Sequence, residues 1–224
     1  MTMTKEITSE QVSSVVLHSL DLTQDTVVKK DTATLRQIVL EQQKEATIVF
    51  AARRPGCVLC REHGKQLSNL QSSPKIAVLG VVKEIGVDDA GLKTFQKEYF
   101  NSWPIYLDED LQLYKIMGNR SIFKVKTMFK LLGNMRKLSR RMSQKRIEGN
   151  LVGEGTIQGG ILIFDGKGDL VHVQLEDITK ELNMSEMAEI LETIVGEDGS
   201  RGIPAEAAPP RHCFNKGQVC PECT

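Results

Sequence analysis

The fold is decided by the stretch Ala46-Thr47-Ile48-Val49-Phe50-Ala51-Ala52-Arg53-Arg54-Pro55-Gly56-Cys57-Val58-Leu59-Cys60-Arg61. Its first seven residues form an apolar run that is too short for a membrane span and predicts a buried strand. Pro55-Gly56 is a turn dipeptide that ends this strand, and a helix-favouring segment follows it. Two cysteines three residues apart in the first turn of that helix predict a dithiol–disulfide redox pair.

The same context predicts different roles for the two thiols. Cys57 would meet the unpaired N–H groups and the positive dipole end of the helix, and Arg53, Arg54 and Arg61 add positive charge, so its thiolate is favoured. Cys60 would lie one turn further on and be more buried. We therefore expect Cys57 to be the nucleophile and Cys60 the resolving thiol that closes the disulfide.

Two alternatives compete with the redox interpretation. A C-x-x-C pair is also half of a zinc site, and buried cysteines can serve as small hydrophobic residues. The next cysteine is Cys213, so no second pair stands at zinc-ribbon spacing. We therefore favour the redox pair and expect no metal in the domain.

Composition indicates an ordinary globular chain. Its 224 residues suit one domain with a tail, and 29 basic residues balance 29 acidic ones, so nucleic acid is not an expected partner. Five cysteines without regular spacing do not resemble a secreted disulfide scaffold and favour a reducing, cytoplasmic location. The N-terminal residues 1–10 lack an apolar core, which argues against a signal or transit peptide, and no run reaches transmembrane length.

The remaining patterns predict the fold class. Apolar runs indicate strands at 76–84 and 105–108, and a turn at Asp165–Asp169 joins two strands into a hairpin. Helices are predicted from N-cap residues and apolar spacing: from Asp31, after Asp88-Asp89, over 111–117 and over 184–195. This order predicts an α/β, thioredoxin-like mixed central sheet flanked by helices.

The expected organisation has three parts. Residues 1–30 form an N-terminal extension, in which 12–22 read equally as strand or helix. Residues 31–195 form the thioredoxin-like domain, with a basic helical insertion at about 119–147. Residues 196–224 are rich in glycine, proline and alanine and are expected to be a flexible, cysteine-containing tail.

These residues support a family resemblance. The chain resembles the peroxiredoxin-like 2 family, which includes the prostamide/prostaglandin F synthases, within the AhpC/TSA-like part of the thioredoxin superfamily. The resemblance covers about residues 30–195, and the segments that carry it are R-R-P-G-C-V-L-C-R at 53–61, L-S-N-L at 67–70, G-V-V-K-E at 80–84, Tyr99-Phe100, I-Y-L-D-E at 105–109 with Tyr114, and G-N-L-V-G-E-G at 149–155 before Gly159-Gly160.

The resemblance implies a peroxiredoxin-like fold and a redox-active Cys57–Cys60 pair. In the synthase branch it also implies NADPH-linked reduction of a lipid endoperoxide. The chain departs from two patterns: Arg54 stands where peroxiredoxins have threonine or serine, and Gly159-Gly160 stand where a thioredoxin has its cis-proline. Ordinary peroxidase or disulfide-reductase kinetics are therefore not carried over, and Arg54 is retained as a candidate catalytic residue.

Three other side chains are candidates for proton transfer. Glu84 ends the second strand, at the edge where open α/β sheets keep their sites, and could accept the Cys60 proton. An ion pair with Lys83 or plain exposure is the interpretation we favour for it. Glu154, in the glycine-rich loop, is a similar candidate. His63 falls two turns from Cys57 and is expected at the surface rather than as a base.

The insertion is strongly basic. Between Leu111 and Ile147 there are eleven basic residues and no acidic one. Residues 124–146 predict a basic amphipathic helix that would either contact an anionic membrane or a partner, or face the core with a solvated polar side, which we favour. In the tail, His212, Cys213, Cys220 and Cys223 could bind zinc, relay electrons as a second dithiol, or be disordered.

The functional hypothesis is a thiol-dependent oxidoreductase that reduces a peroxide or lipid endoperoxide. Catalytic residues are expected to be Cys57, Cys60, Arg54 and Glu84. We expect no tightly bound cofactor, with NADPH as direct or indirect reductant and a thioredoxin-type protein as electron donor. The alternatives are a thioredoxin-like disulfide exchanger, and a redox-sensing adaptor that contacts a membrane or partner through the basic helix.

Overall fold

The computed structural model describes residues 7–68, 73–121, 133, 136, 139–178 and 180–196. Its strands form a seven-stranded sheet in the order β2-β1-β5-β4-β3-β6-β7. They are β1 (Val16–Asp21), β2 (Val28–Thr34), β3 (Ala46–Ala51), β4 (Ile76–Val82), β5 (Ile105–Leu107), β6 (Gly160–Asp165) and β7 (Leu170–Leu175).

The centre of the sheet is the predicted strand β3. It runs parallel to β4, which runs parallel to β5, and antiparallel to β6, which pairs antiparallel with β7. All six residues of β3 are buried, as expected for a strand covered on both faces. The mixed thioredoxin-like sheet and the hairpin at Asp165–Asp169 are therefore confirmed.

Helices cover both faces of the sheet. They are α1 (Ser9–Ser13), α2 (Leu35–Glu41), α3 (Val58–Ser68), α4 (Asp89–Thr94) with a π-helical turn Phe95–Tyr99, α5 (Gln112–Ile116), α6 (139–145) and α7 (Met184–Val195). Alternate β3 residues serve opposite faces: Ile48 and Phe50 pack with α3, α4 and α7, whereas Val49 and Ala51 pack with α1, α2 and α5. The dithiol helix thus rests on one face of the strand that leads into it.

The N-terminal part of the chain belongs to the sheet. Residues 12–22 contain both of the alternatives that the sequence left open, because α1 ends at Ser13 and β1 begins at Val16. β1 pairs with β5 through His18 and Leu107. The predicted domain boundary at residue 31 falls inside β2, and β1 and β2 form a hairpin that extends the sheet.

The helix predicted to begin at Asp31 begins at Leu35. Thr34 is its N-cap, accepting from the Gln37 N–H, while Asp31 and Thr32 continue β2. Pairing of Thr32 with His18 across the hairpin outweighs the capping tendency of Asp31. By contrast, Asp88 caps α4 as predicted.

The predicted tail and much of the basic helix lie outside the described residues. For the tail only Gly196 is described, and within 124–146 only 133, 136 and 139–146. In the part of the chain that the structure describes, no helix has the length and apolar character needed to cross a bilayer.

Candidate active site

The dithiol loop connects β3 to α3. The Cys57 N–H donates to the Arg54 carbonyl at 3.2 Å, which closes the turn, and the Arg61 N–H donates to the Cys57 carbonyl at 2.9 Å, which starts the helix. Gly56 is required here because a Cβ would lie 1.9 Å from Asn150 Oδ1. The loop that contains Asn150 therefore packs directly on the dithiol turn. The Asn150 N–H donates to the Gly56 carbonyl at 2.7 Å.

The two thiols have opposite environments, as the sequence predicted. Both are free thiols in the structure, and Cys57 is 6% exposed while Cys60 is 1% exposed. A hydrogen bond from the Cys60 thiol, together with the charge of Arg53, lowers the pKa of Cys57 to about 6 against the opposing effect of burial. Burial raises the pKa of Cys60 well above its ordinary value. Cys57 is thus the thiolate and Cys60 the protonated partner near neutral pH.

Arg53 is the cation that contacts the Cys57 sulfur. Its Nη2 donates to Cys57 Sγ at 2.9 Å, and its Nε lies 3.0 Å from Glu176 Oε1. Both side chains are almost fully buried. The sequence indicated Arg53 only as one of three flanking charges, and the structure makes it the charge that stabilises the thiolate.

Arg54 lines the same cavity as Cys57 but donates elsewhere. Its Nη1 donates to the carbonyl oxygens of Leu151 at 2.9 Å and Gly153 at 3.2 Å. The guanidinium therefore fastens the loop at 150–155 to the dithiol turn. The predicted catalytic role of Arg54 stays a prediction, with a position at the cavity wall rather than on the sulfur.

Glu84 also contacts the loop at 150–155. Its carboxylate accepts from the Glu154 N–H at 2.5 Å, and it is not among the residues that line the cavity beside Cys57. Its expected partner, Lys83, pairs instead with the Glu154 carboxylate. Glu154 also accepts from Thr156, so both candidate bases are engaged in holding the loop.

The expectation that His63 lies at the surface was wrong. His63 is 2% exposed, its ring meets the Phe50 ring edge-on at 6.2 Å, and burial lowers its pKa to about 4. The reason is that His63 faces the core, where its ring packs against Phe50 of β3 and the backbone of Lys180 lies within hydrogen-bonding reach. Glu62, the preceding residue, receives Arg141 Nη2 at 2.8 Å and Lys145 Nζ at 2.7 Å from α6.

The described part of the basic insertion thus docks on the domain. Met142 is buried in the same apolar core as Cys60. Arg141 and Lys145 also pair with Glu181, so two of the basic residues are neutralised by carboxylates of the domain. This arrangement agrees with the favoured core-facing interpretation for residues 139–146.

A cavity of about 580 Å³ opens beside Cys57. Four aliphatic side chains give its wall an apolar character: Val58, Leu59, Leu151 and Ile178. Leu151 is 86% exposed, unusual for so large an apolar side chain. The cavity can receive an apolar molecule next to the thiolate.

Sequence reasoning missed Glu176 and Glu62. Glu176 directly follows β7, 123 positions after Arg53, so no local spacing relates the two. One signal was available: an arginine placed beside a buried dithiol requires a carboxylate partner, and Glu176 ends an apolar strand of the same sheet.

The family model described as AhpC/TSA antioxidant enzyme matches residues 65–176, a range that starts after Cys60. Prostamide/prostaglandin F synthase of Danio rerio is 30% identical over 188 residues, covering 78% of this chain and 91% of its own. Peroxiredoxin-like 2A of Bos taurus is 32% identical over 187 residues, covering 80% and 79%.

Among solved structures, AhpC of Enterococcus faecalis has 14% sequence identity and a TM-score of 0.47, covering 84% of this chain and 92% of its own. The family is shown by the sequence relatives, which span most of the chain and include both branches that the resemblance named. The chain belongs to the AhpC/TSA antioxidant enzyme family, in the group that holds the peroxiredoxin-like 2 proteins and the prostamide/prostaglandin F synthases.

Proposed function

We propose that this chain is a thiol-dependent oxidoreductase that reduces the O–O bond of a peroxide or lipid endoperoxide. The observation that carries the proposal is the 2.9 Å contact between Arg53 Nη2 and Cys57 Sγ, with the buried Cys60 thiol on the same sulfur. A thiolate is the nucleophile in such chemistry, and this environment favours it near neutral pH.

The reaction consumes two electrons from the dithiol. Cys57 thiolate attacks one oxygen of the O–O bond; an S–O bond forms, and the other oxygen leaves as an alkoxide that takes up a proton. Cys60 then attacks Cys57 sulfur, the S–S bond forms, and the S–O oxygen leaves as water or as an alcohol, taking the Cys60 proton. A peroxide thus gives an alcohol and water, and an endoperoxide gives a diol.

The cavity beside Cys57 supports an apolar substrate. Its aliphatic wall, with exposed Leu151, suits a lipid better than hydrogen peroxide. One relative is named a prostamide/prostaglandin F synthase, a name consistent with such a substrate. We therefore place lipid endoperoxides and lipid hydroperoxides ahead of hydrogen peroxide.

A thioredoxin-type dithiol protein is the proposed reductant, with NADPH as the ultimate electron source in a reducing cytoplasm. Among the described residues that line the cavity, the cations are Arg53 and Arg54, and both are engaged, with Glu176 and with loop carbonyls. A nicotinamide phosphate would have to displace these contacts. Indirect supply of electrons is therefore the route we favour.

The test is turnover of a lipid hydroperoxide, a lipid endoperoxide and hydrogen peroxide, with NADPH alone and with NADPH plus thioredoxin and its reductase. Wild type should reduce the lipid substrates fastest. Cys57→Ser should lose turnover, and Cys60→Ser should oxidise once without closing a disulfide. Equal turnover by wild type and Cys57→Ser would reject the proposal.

A disulfide exchanger is the second candidate function. Arg54 stands at the position where peroxiredoxins place threonine or serine, and its guanidinium contacts loop carbonyls rather than the sulfur. Reduction of insulin disulfides faster than of any peroxide would favour this candidate. Leu151→Ser should slow lipid peroxide reduction while leaving insulin reduction unchanged if the apolar wall serves the lipid.

A redox-sensing adaptor remains the non-enzymatic proposal. Residues 136 and 140 of the basic segment are exposed arginines, whereas Arg141 and Lys145 are paired with carboxylates. Salt-dependent binding to anionic vesicles that changes with the oxidation state of the dithiol, in a protein without turnover, would favour the adaptor.

A further inference from the structure

We propose that Glu176 is a positioning residue that holds the Arg53 guanidinium against Cys57 Sγ. This inference rests on the proposed function of the dithiol. It adds to the site a residue that is distant from the dithiol in sequence. Glu176 acts on the sulfur through Arg53.

The geometry of the guanidinium links the two contacts. Arg53 Nε lies 3.0 Å from Glu176 Oε1, and Nη2 of the same planar group donates to Cys57 Sγ at 2.9 Å. Because the group is rigid and planar, fixing its Nε edge fixes the direction of Nη2. Nη1 of the same group donates to the Gly155 carbonyl at 3.5 Å, a longer contact. Without the carboxylate, only this contact and the one to the sulfur would hold the guanidinium.

Glu176 is itself anchored on the sheet. Its Oε2 accepts from the Gly159 N–H at 3.0 Å, and its own N–H donates to the Gly159 carbonyl at 3.1 Å. Arg120 adds a second tie, with Nη1 at 3.1 Å from the Glu176 carbonyl and Nη2 at 3.2 Å from the Gly159 carbonyl. These contacts hold the Glu176 backbone and its Oε2 on the sheet, beside Arg53.

Gly159 makes this anchor achievable. A Cβ at this position would lie 1.7 Å from the carbonyl oxygen of Ala51, the last residue of β3. Only glycine lets the backbone come so close to the strand end that leads into the dithiol turn. Consecutive contacts thus connect β3 to Gly159, Gly159 to Glu176, Glu176 to Arg53, and Arg53 to Cys57.

The alternative is that Glu176 is just a nearby charge, and the two roles have opposite signs. The charged or titratable groups that act on Cys57 are Cys60, Arg53 and Glu176. The negative charge of Glu176 by itself raises the pKa of Cys57. Through Arg53, however, Glu176 favours the thiolate. Loss of Glu176 therefore raises the pKa of Cys57 if it positions Arg53, and lowers that pKa if it acts only as a charge.

The experiment measures the rate of Cys57 alkylation by iodoacetamide against pH, in the reduced full-length protein, for wild type and Glu176→Gln. The glutamine keeps the size of the side chain but loses the negative charge that faces Arg53 Nε, while its amide oxygen can still accept from the Gly159 N–H. We expect a higher Cys57 pKa and alkylation at pH 7 that is slower by about two- to tenfold. An unchanged or lower pKa would overturn the proposal.

Two further variants keep the test decisive. Glu176→Asp retains the charge but shortens its reach, so positioning predicts a raised Cys57 pKa here also, whereas a pure charge effect predicts almost none. Glu176→Asp also provides the test if the glutamine variant does not fold. Glu189→Gln removes an exposed carboxylate from α7 and should leave the Cys57 pKa and its alkylation rate unchanged. Since alkylation requires no turnover, a protein that reduces no peroxide would reject the proposed function and leave this inference standing.

Discussion

The Tyr114 hydroxyl lies 2.6 Å from the carbonyl oxygen of Ala52 and 3.1 Å from that of Val81. Tyr114 is fully buried on α5, and the two carbonyls mark the C-terminal ends of β3 and β4. The hydroxyl thus joins the ends of β3 and β4. This contact lies next to the dithiol turn, because Ala52 is the residue before Arg53. The position of the dithiol turn is thus coupled to packing on the opposite face of the sheet.

Removing this hydroxyl should cost stability. Tyr114→Phe leaves the ring in place but takes the donor away from the Ala52 carbonyl, and an unsatisfied buried acceptor costs about 1–3 kcal/mol. Urea unfolding should show that decrease in the free energy of unfolding. Tyr99→Phe is the control, since its ring stays 5.0 Å from the Arg61 guanidinium, and its change should remain within about 0.5 kcal/mol. Equal losses in both variants would contradict the assigned role.

The reactivity of Cys57 should depend on the Cys60 thiol. The largest cause of the lowered Cys57 pKa is the hydrogen bond from Cys60, so Cys60→Ala should raise that pKa above about 6. Cys60→Ser keeps a donor and should retain most of the effect. Thiolate absorbance against pH gives both values. Identical titrations of the alanine and serine variants would show that the hydrogen bond is unimportant.

The sequence predicted the elements that depend on neighbouring residues. The apolar run before Arg53, the turn at Pro55-Gly56 and the cysteine spacing are local signals, and β3, the turn and the start of α3 follow them. The different environments of Cys57 and Cys60 were predicted for the same reason, since they depend on the start of a helix and the depth along it. Their roles as nucleophile and resolving thiol stay predictions.

Contacts between distant parts of the chain could not be predicted. The pair of Arg53 and Glu176 joins two segments that meet only when β6 and β7 fold beside β3. His63 was expected at the surface, but its ring packs on Phe50 of β3 and lies beside the backbone of Lys180, a residue 117 positions later in the chain. The predicted helix through Leu35, Ile38 and Val39 is present, but it begins after Thr34 and not at Asp31, because pairing between β1 and β2 competed with a cap at Asp31.

Glu62 should hold the basic insertion on the domain. Its carboxylate is 1% exposed and receives Arg141 and Lys145 of α6. Glu62→Gln removes the charge that both cations face, and we expect a loss of about 1–3 kcal/mol in the free energy of unfolding. Trypsin should also cleave residues 139–146 faster.

The control for Glu62 is Glu192→Gln, at an exposed position on α7. It should change the free energy of unfolding by less than about 0.5 kcal/mol and leave trypsin cleavage as in wild type. A Glu62→Gln protein with wild-type stability and wild-type cleavage would mean that apolar packing of Met142, rather than the ion pairs, secures α6.

His63 should make the free energy of unfolding decrease in acid. Burial lowers its pKa from 6.5 to about 4, so the folded protein keeps the ring neutral while the unfolded chain binds a proton. As pH falls from 6.5 towards 4, the unfolded state gains protons first, and the free energy of unfolding decreases by roughly 3 kcal/mol from this residue. Above pH 6.5 both states are neutral at this residue, and the contribution does not change.

His63→Gln removes the titration while keeping a polar side chain of similar length. Urea unfolding of both proteins at several pH values between about 4 and 7 isolates the effect, because the carboxylates common to both cancel in the difference. Wild type should lose stability relative to the variant as pH falls through this window. A difference that stays constant with pH would show that the ring is protonated in the folded protein or reached by water, and that packing against Phe50 does not keep it dry.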